Sequence, residues 1–376
     1  MDNLTHSLVG LVAAKAGLER VSPAATTLCV IAANAPDSDI LAAFGGRWFY
    51  LHHHRGITHS IVGTLALAVL IPTLFCLGDR LIAYFRGRPS TTKFRGLLIA
   101  SLIVSATHPL LDWTNNYGLR PFLPWSGRWY YGDFVFIIDP FIWLSLGGVA
   151  FLLTAKTKWR VAAWSLLAVV LTTAIVFVPT IRTGSTIPPV ARAVWLVGLA
   201  AFFIAHRARL ALRWQHRIAI AALALVLVYW GGLSFIHLRA YAEAQTVAAS
   251  LSSANGETVG RLAAMPVLAN PLRWQCVFET EKATYRFDLS VLKAKAVGEA
   301  LRYEKPQGAD AEFYARATQD ERAKIFLGFA RFPVARVEGD CLSEMLVELA
   351  DLRYTEPVRG QRGTFSLEVP VECSQK

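Results

Sequence analysis

The sequence predicts a membrane-embedded all-α bundle of about eight apolar helices over residues 1–240, followed by a small soluble α+β domain over residues 241–376. Hydrophobic residues make up 54% of the 376-residue chain and charged residues only 17%, and the mean hydropathy of +0.39 exceeds the range of ordinary globular proteins. Apolar segments recur as far as residue 238, and the composition turns polar after Arg239. These observations predict a polytopic membrane protein with a separate polar domain.

Most of the apolar segments approach the roughly 20 residues that an α-helix needs to cross the hydrocarbon core. The first and fourth segments are short, and short segments that carry polar residues can be half-spans buried within a bundle. The segments lie at 5–18, 24–43, 60–77, 96–111, 134–155, 160–179, 190–206 and 217–238.

The basic excess of the chain belongs to its apolar half. Residues 1–244 contain 21 Lys/Arg against nine Asp/Glu, whereas residues 245–376 contain 17 against 18. If all eight segments cross, alternate loops carry 14 and seven basic residues, which places the more basic loops in the cytoplasm and both termini outside. The basic residues are therefore topology signals, and nucleic-acid binding is not expected.

The polar domain is predicted to contain strands and helices, and it is large enough to form its own core. Two alternating runs flank a Glu281-Lys282 turn and predict a β-hairpin. Residues 240–265 are predicted to form a helix or a linker, with a break at residues 252–256. Residues 310–330 are predicted to be helical. A disulfide within this domain is compatible with an extracytoplasmic location, but the spacing does not identify the pair among Cys276, Cys341 and Cys373. The expected strands are 274–280, 284–290, 334–337, 345–349 and 364–369.

Carboxylates and imidazoles concentrate at the predicted outer ends of the apolar segments. Asp37 and Asp39 would point about 200° apart on a continuous helix, but Pro36 permits a local break that lets both face one cavity. A helix-terminal turn with Asp39 as a cap is the alternative. At a membrane boundary, ionisable residues with other ligand types nearby favour a functional role.

The segment from His52 to Ser60 contains four histidines in eight residues. Gly56 permits the backbone to fold back between His54 and His59, and Thr58 or Ser60 can cap the next helix. Neutral imidazoles combined with carboxylates suit zinc, manganese or iron. A titratable surface loop is the alternative. His54 and His59 are the favoured ligands of this run.

His108 and Asp112 are four residues apart, which places both on one helical face, although Pro109 could kink that turn. Asp112 is expected either to bind a metal or to orient a histidine that does. A hydrogen-bonded pair without a ligand is the alternative. His6 alone would be weak evidence for a metal ligand, but the predicted topology places it on the same outer side as the other candidate ligands.

Asp133 and Asp139 lie at or inside an apolar run, where an ionised carboxylate needs a partner. Each is a candidate general base, and Asp139 is also a candidate metal ligand or the first residue of a helix at Pro140. His206, His216 and His237 fall at loop boundaries and imply no site. The sequence contains no HExxH, no G-x-x-x-x-G-K-[ST] and no GxSxG, which argues against zincin proteases, P-loop ATPases and serine hydrolases.

Taken together, these motifs resemble the YdjM-like family of bacterial inner-membrane proteins, for which metal-dependent hydrolysis is the inferred activity. The resemblance covers roughly residues 1–140, and the HRGxTHS element is its specific part. The motifs are Thr5-His6, Pro36-Asp37-Ser38-Asp39, His54-Arg55-Gly56-Ile57-Thr58-His59-Ser60, His108-Pro109-Leu110-Leu111-Asp112 and Gly132-Asp133 with Asp139-Pro140.

The expected function is a hydrolase of the bacterial inner membrane that uses a metal-activated water at the extracytoplasmic face. Zinc is the expected metal, with manganese or iron as alternatives, and the number of candidates suggests two ions. The expected partners are the lipid bilayer and an amphiphilic or lipid-linked ester substrate. The alternatives are a divalent-metal transporter and a metal-stabilised interaction protein without catalysis. The expected metal ligands are His6, Asp37, Asp39, His54, His59, His108 and Asp112, and the expected catalytic residues are Asp112, Asp133 and Asp139.

Overall fold

The computed structural model describes residues 1–176, 187–293, 295–340, 344–357 and 365–373. The chain divides into two compact units. The first comprises Met1–Asp39, Arg55–Phe235 and Pro266–Pro271, and the second comprises Ile40–His54, Ile236–Met265 and Leu272–Lys376.

Long apolar helices build the first unit, and short 3₁₀ stretches connect several of them. The 3₁₀ stretches are Leu18–Arg20, Ala35–Gly45 and Ile57–His59. The helices up to the start of the polar region, in chain order, are α1 (Asn3–Lys15), α2 (Ala25–Asn34), α3 (Arg47–His53), α4 (Ile61–Phe85), α5 (Phe94–Trp113), α6 (Pro140–Thr154), α7 (Lys158–Val176), α8 (Pro189–Arg207), α9 (Ala211–Trp214) and α10 (His216–Ala254). Of these, α3 belongs to the second unit, and α10 runs from the first unit into the second.

Within the described residues, six helical segments are long and apolar enough to cross a membrane, rather than the expected eight. Helices α1 and α6 have 13 and 15 residues, and at 1.5 Å per residue both are shorter than a bilayer core of roughly 30 Å. The fourth segment, expected to be short, is the 20-residue helix α5. The fifth is short because its helix begins only at Pro140, after the Asp139 cap. The six are Ala25–Gly45, Ile61–Phe85, Phe94–Trp113, Lys158–Val176, Pro189–Arg207 and His216–Ala254.

Small residues allow the first helices to pack closely. A side chain at Gly10 of α1 would overlap the backbone carbonyl of Cys29 on α2. Cys29 and Cys76 are buried free thiols in this core, where they act as small packing residues. Close backbone approach through small residues is the usual basis of helix association in membranes, where lipid is as apolar as the side chains. This packing brings α1, α2, α4 and α5 together.

The second unit contains two antiparallel sheets. The expected hairpin is confirmed, with Phe278 opposite Tyr285. The strands β1 and β4, at both edges of the first sheet, were not predicted. The predicted helix over 310–330 is two helices, since Asp320 caps a new one through the Arg322 N–H. The strands are β1 (Leu262–Val267), β2 (Asn270–Glu279), β3 (Ala283–Ser290) and β4 (Lys295–Glu304) in one sheet, and β5 (Pro333–Asp340), β6 (Glu344–Asp351) and β7 (Ser366–Val371) in the other; the helices are α11 (Ala309–Ala317) and α12 (Glu321–Phe329).

Candidate metal centre

Helix α5 supplies two side chains of the centre from its last two turns. His108 and Asp112 are four residues apart, face the same side and are fully buried. The helix continues through Pro109 to Trp113, so the proline does not separate them. The imidazole Nε2 of His108 lies 3.5 Å from the Oδ2 of Asp112.

The 3₁₀ stretch Ala35–Gly45 positions the two aspartates of the PDSD motif. The helical winding tightens from α to 3₁₀ at Ala35, next to Pro36, which is the local change expected from the proline. The carboxylates of Asp37 and Asp39 then reach opposite nitrogens of one imidazole. Asp37 Oδ1 lies 3.3 Å from His59 Nε2, and Asp39 Oδ2 lies 3.2 Å from His59 Nδ1.

The HRGITHS segment forms a tight turn that ends in the cap of α4. Arg55 makes the turn with a left-handed φ of +50°, whereas Gly56 has a φ of −89°. Ser60 is the cap: its hydroxyl accepts a hydrogen bond from the Gly63 N–H and donates one to the Ile57 carbonyl. This arrangement fixes the short 3₁₀ turn from Ile57 to His59 and buries the His59 ring completely.

Four donor atoms converge on one point. They are His59 Nε2, His108 Nε2, Asp37 Oδ1 and Asp112 Oδ2, and the residues form a group whose ligand atoms all lie within 4.8 Å of one another. The two Nε2 atoms are 3.1 Å apart. His59 Nε2 lies 3.3 Å from both carboxylate oxygens, and His108 Nε2 lies 3.5 Å from both.

These separations match the edges of a metal-centred tetrahedron. Zinc binds imidazole nitrogen and carboxylate oxygen at about 2.0–2.2 Å, so the donors of a tetrahedral site lie about 3.3–3.6 Å apart. Five of the six edges of the group measure 3.1–3.5 Å. The donors are two nitrogens and two oxygens, a combination that also suits manganese or iron. The geometry therefore fits a single divalent ion.

The outer nitrogen of each imidazole is already engaged. His108 Nδ1 lies 2.6 Å from the carbonyl oxygen of Ala33, which can only accept, so Nδ1 carries the proton. His59 Nδ1 faces the Asp39 carboxylate in the same way. When both rings are neutral in these tautomers, their Nε2 atoms direct lone pairs at each other and at two carboxylates. Such an arrangement favours a bound cation, because lone pairs and negative charges repel at this distance.

Arg55 supports the centre from the side of Asp112, a role that the sequence analysis did not assign. Its guanidinium donates to Asp112 Oδ1 at 3.0 Å, to Asn115 Oδ1 at 3.0 Å and to the Gly118 carbonyl at 3.1 Å. Its backbone N–H donates to Asp39 Oδ2 at 2.8 Å. An arginine between two histidines of a conspicuous motif is a sequence signal, but its partners are 57–63 residues away.

His6 lies beside the four-donor group as a third imidazole. Its ring stacks on His108 at 3.8 Å between centroids, and its Nε2 lies 3.4 Å from Asp112 Oδ1. It is fully buried, and neither ring nitrogen makes a hydrogen bond to any residue that the structure describes. The amino group of Met1 also contacts Asp112 Oδ1. Asp112 thus presents one oxygen to the four-donor group and the other to His6, the Met1 amine and Arg55.

Other predicted site residues lie outside the four-donor group, within the part of the chain that the structure describes. Asp39 contacts Nδ1 of His59, on the side of the ring opposite the other donor atoms, and supplies no donor atom to the group. His54 ends α3 in the second unit, and its ring stacks on Tyr50 at 4.7 Å. Asp139 caps α6 through the N–H groups of Phe141 and Ile142 and accepts a hydrogen bond from the Tyr229 hydroxyl at 2.9 Å.

Asp133 is held close to the end of α5 by backbone hydrogen bonds on both sides of it. The Gly132 N–H donates to the Trp113 carbonyl at 2.7 Å, and the Phe134 N–H donates to the Thr114 carbonyl at 3.0 Å. The residue is 5% exposed and has a left-handed φ of +60°. Aspartate tolerates this conformation better than most residues. The assignment of Asp133 and Asp139 as catalytic groups stays a prediction.

The fold and this centre define a multi-helix membrane protein with a buried Asp/His group that can hold a metal ion. Residues 1–182, which include the whole group, match the sequence model of the family described as YdjM inner membrane protein, and the expected resemblance is confirmed.

The chain is also similar to the Bacillus subtilis (strain 168) protein described as "Uncharacterized protein YfhP", with 28% identity over 155 residues. That alignment covers 39% of this chain and 44% of the relative, so the chain spans less than half of the relative's length. No solved structure matches the chain.

Proposed function

We propose that this protein is a metal-dependent hydrolase of the inner membrane that cleaves an amphiphilic or lipid-linked ester, such as a phosphoester, at the extracytoplasmic face. One observation carries the proposal: His59, His108, Asp37 and Asp112, from three separate segments, place their donor atoms at the spacing of a tetrahedral metal site. Assembling four ionisable groups within a membrane bundle is costly unless they bind a charged ligand. Zinc fits best, with manganese and iron as alternatives.

A divalent ion bound here would lower the pKa of a coordinated water and polarise an ester oxygen. The protein residues supply the rest. Asp39 and the Ala33 carbonyl hold the two imidazoles in the tautomer that presents Nε2. Arg55 fixes the Asp112 carboxylate and offsets one negative charge of the two aspartates. Because Arg55 is only 2% exposed, its charge acts in a medium of low polarity and interacts more strongly with Asp112 than it would in water.

His6 supports the idea of a second ion or an expanded coordination sphere. A tetrahedral ion held by all four donors has no open position, whereas catalytic zinc sites keep one. His6 offers a buried imidazole that has no hydrogen bond among the described residues and lies 3.4 Å from Asp112 Oδ1. A carboxylate that uses both oxygens is suited to bridge two ions, and paired ions stabilise both the attacking and the leaving oxygen of a phosphoester.

Of the two proposed general bases, Asp133 is favoured. Asp139 already caps α6 and accepts from Tyr229, so its oxygens are engaged. Asp133 follows Gly132, which pairs with the residue directly after Asp112. A buried carboxylate in a sparsely populated backbone conformation is a frequent feature of catalytic positions. Its role would be to take a proton from the attacking water.

Two features support an extracytoplasmic location of the centre and the polar domain. The positive-inside rule assigns the more basic loops to the cytoplasm, and the centre lies at the other ends of the segments. Cys373, in the second unit, is disulfide-bonded, and disulfides persist in oxidising compartments outside the cytoplasm. A site at the membrane border favours a substrate that is itself partly apolar.

The four-donor geometry also supports a second candidate function. Closed four-ligand sites are typical of structural zinc, so the centre could stabilise a membrane interaction protein without catalysis. A divalent-metal transporter is the related alternative, in which the same donors form a transit site.

Product formation from lipid separates these functions. The purified full-length chain, loaded with zinc, would be incubated with inner-membrane lipid extract, with and without a chelator, and products followed by mass spectrometry. His59→Ala and Asp133→Asn are the test variants, and His52→Ala, an exposed histidine of the same run, is the matched control. A product that requires metal and His59, and that His52→Ala still forms, supports the hydrolase. Bound metal without any such product supports the structural or transport function.

A further inference from the structure

A second site lies at the end of the first unit that faces away from the metal centre. A cavity of about 970 Å³ is lined by the last residues of α1 and α6, the first residues of α7 and α10, and the last turn of α8. In α1, His6 and Lys15 are nine residues apart, or about 14 Å along the axis, which separates the centre from this cavity.

The cavity is strongly basic. The single lining acid, Glu19, is paired with Lys15. Among the described residues, no acidic group lies within ion-pair distance of Lys156, Lys158 or Arg207. Clustered cations repel one another, and an anion bound between them would relieve that repulsion. The basic and imidazole side chains of the lining are Lys15, Arg20, Lys156, Lys158, His206, Arg207, Arg209 and His216.

An apolar cavity adjoins the basic one along the same helices. It has a volume of about 360 Å³ and is lined almost entirely by apolar residues of α1, α6, α7 and α8. Phe203 lines both cavities, and the ring of Phe151, in the apolar cavity, lies 4.7 Å from that of His206 in the basic one. The basic cavity itself has an apolar wall that includes Leu152, Leu153 and Val161.

We propose that the two cavities together bind one anionic phospholipid, with its phosphate headgroup among the basic residues and an acyl chain in the apolar cavity. A free phosphate ion would satisfy the cations but would not use the apolar cavity. A zwitterionic lipid would add its own positive charge to a cavity that already has an excess of positive charge. Basic cavities between membrane helices are known to bind such headgroups, and each basic residue contributes enough to change affinity about fivefold.

Native mass spectrometry of the full chain in detergent tests this proposal. Phosphatidylglycerol, phosphatidylcholine and inorganic phosphate would each be titrated. The pocket variant is Lys156→Gln/Lys158→Gln/Arg207→Gln, and the control is Arg86→Gln/Lys93→Gln/Arg95→Gln, which removes three charges from exposed residues outside the cavity. Ala200→Phe, which narrows the apolar cavity without changing charge, is a further variant.

The expected result is one tightly bound phosphatidylglycerol per chain, preferred at least tenfold over phosphatidylcholine. The pocket variant should weaken it at least tenfold and Ala200→Phe at least threefold, while the control variant changes it less than threefold. Unchanged phosphatidylcholine retention and an unchanged elution volume show that each variant is folded. Equal weakening by both triple variants, no preference for phosphatidylglycerol, or equally tight binding of inorganic phosphate would each overturn the proposal.

Discussion

The Nε2 atoms of His59 and His108 lie 3.1 Å apart, although the residues belong to different segments 49 positions apart. The Nδ1 atom of each ring contacts an acceptor outside the pair, Asp39 for His59 and the Ala33 carbonyl for His108. Neither ring can therefore donate a proton to the other while both are neutral. A positive charge between the two nitrogens would stabilise the pair, and Asp37 and Asp112 add the carboxylate oxygens that suit a divalent cation.

Replacing His59 by alanine should abolish tight metal binding. The variant loses the donor that lies within 3.3 Å of the three other donor atoms. Elemental analysis of the purified protein should fall from about one divalent ion per chain, or two if His6 holds a second, to near zero. His52→Ala, on the exposed part of the same histidine run, should retain the metal. Equal metal content in His59→Ala and the wild type would rule out the centre.

Arg55→Lys should weaken metal binding although arginine is not a donor. Lysine keeps the charge but cannot reach Asp112, Asn115 and the Gly118 carbonyl at once, so the Asp112 carboxylate loses its orientation. Loss of such supporting contacts typically reduces metal affinity 10–100-fold. Chelator competition measures the change, and Arg128→Lys, an exposed arginine, is the control. Wild-type affinity in Arg55→Lys would mean that charge alone matters at this position.

Asp37→Asn and Asp39→Asn should have different effects on metal binding. The Asp37 carboxylate supplies one of the four donor atoms, whereas the Asp39 carboxylate contacts only the Nδ1 side of the His59 ring. Asp37→Asn replaces a donor oxygen and should cost most of the metal affinity. Asp39→Asn leaves the four donors intact and should cost 10–100-fold through the loss of His59 orientation. Titration of both apoproteins with zinc checks this order. A larger loss in Asp39→Asn than in Asp37→Asn would reverse the assigned roles.

Much of this centre was predictable from sequence because its donors belong to motifs whose geometry is set by nearby residues. The i, i+4 spacing of His108 and Asp112 survives Pro109, and Pro36 does mark a change of helical winding that brings Asp37 and Asp39 to one imidazole. Both His54 and His59 were predicted as ligands, and the local pattern did not show that His59 alone would join the four-donor group. That difference depends on Arg55 adopting a left-handed conformation, which sequence rules assign to the neighbouring glycine.

The number of membrane spans was harder to predict, since hydropathy does not show where a helix begins. The run 134–155 is apolar enough for a span, yet Asp139 captures the N–H groups of Phe141 and Ile142 and starts the helix at Pro140. The contacts of Arg55 with Asn115 and Gly118 join separate segments and carry no local signal at all. Strand β4 was missed because its sequence, from Lys295 to Glu304, lacks the alternation that marks a half-buried strand.

The stability of the second unit should depend on pH through Glu257. Burial raises the pKa of this carboxyl, but hydrogen bonds from Arg302, Thr280 and Tyr285 outweigh burial and hold the pKa below its ordinary value of 4.5. A lowered pKa in the folded state means that the stabilisation is complete above pH 4.5 and is lost as the pH falls through the folded-state value.

Glu257→Gln should remove this acid sensitivity. The variant loses a carboxylate that accepts hydrogen bonds from charged and neutral donors, so its stability above pH 5 should fall by about 1.5–3 kcal/mol. Denaturant unfolding of the second unit, followed by the ¹⁹F NMR signal of 5-fluorotryptophan at buried Trp274, measures both proteins between pH 3 and 7. The wild-type midpoint should decrease more steeply than that of the variant below pH 4.5. Parallel curves would show that Glu257 does not titrate in this range.

Gly63→Ala should disrupt the metal centre without altering any donor. An added methyl group at Gly63 would overlap the backbone carbonyl of Ile57, which begins the 3₁₀ turn that carries His59. The same carbonyl accepts the Ser60 hydroxyl, and that hydroxyl accepts the Gly63 N–H, so the helix start and the turn form one rigid arrangement. The added carbon would lie only 1.8 Å from that carbonyl oxygen, so the turn must move by more than about 1 Å, which would carry His59 Nε2 away from its three neighbours.

Gly78→Ala is the matched control, because it lies in the same helix and no atom of the described residues is within 4 Å of the added group. Alanine at that position should be neutral or should stabilise the helix by up to about 1 kcal/mol. Zinc affinity measured by chelator competition should fall at least tenfold in Gly63→Ala and stay unchanged in Gly78→Ala. Equal zinc affinity in the two variants would mean that the turn does not control the position of His59.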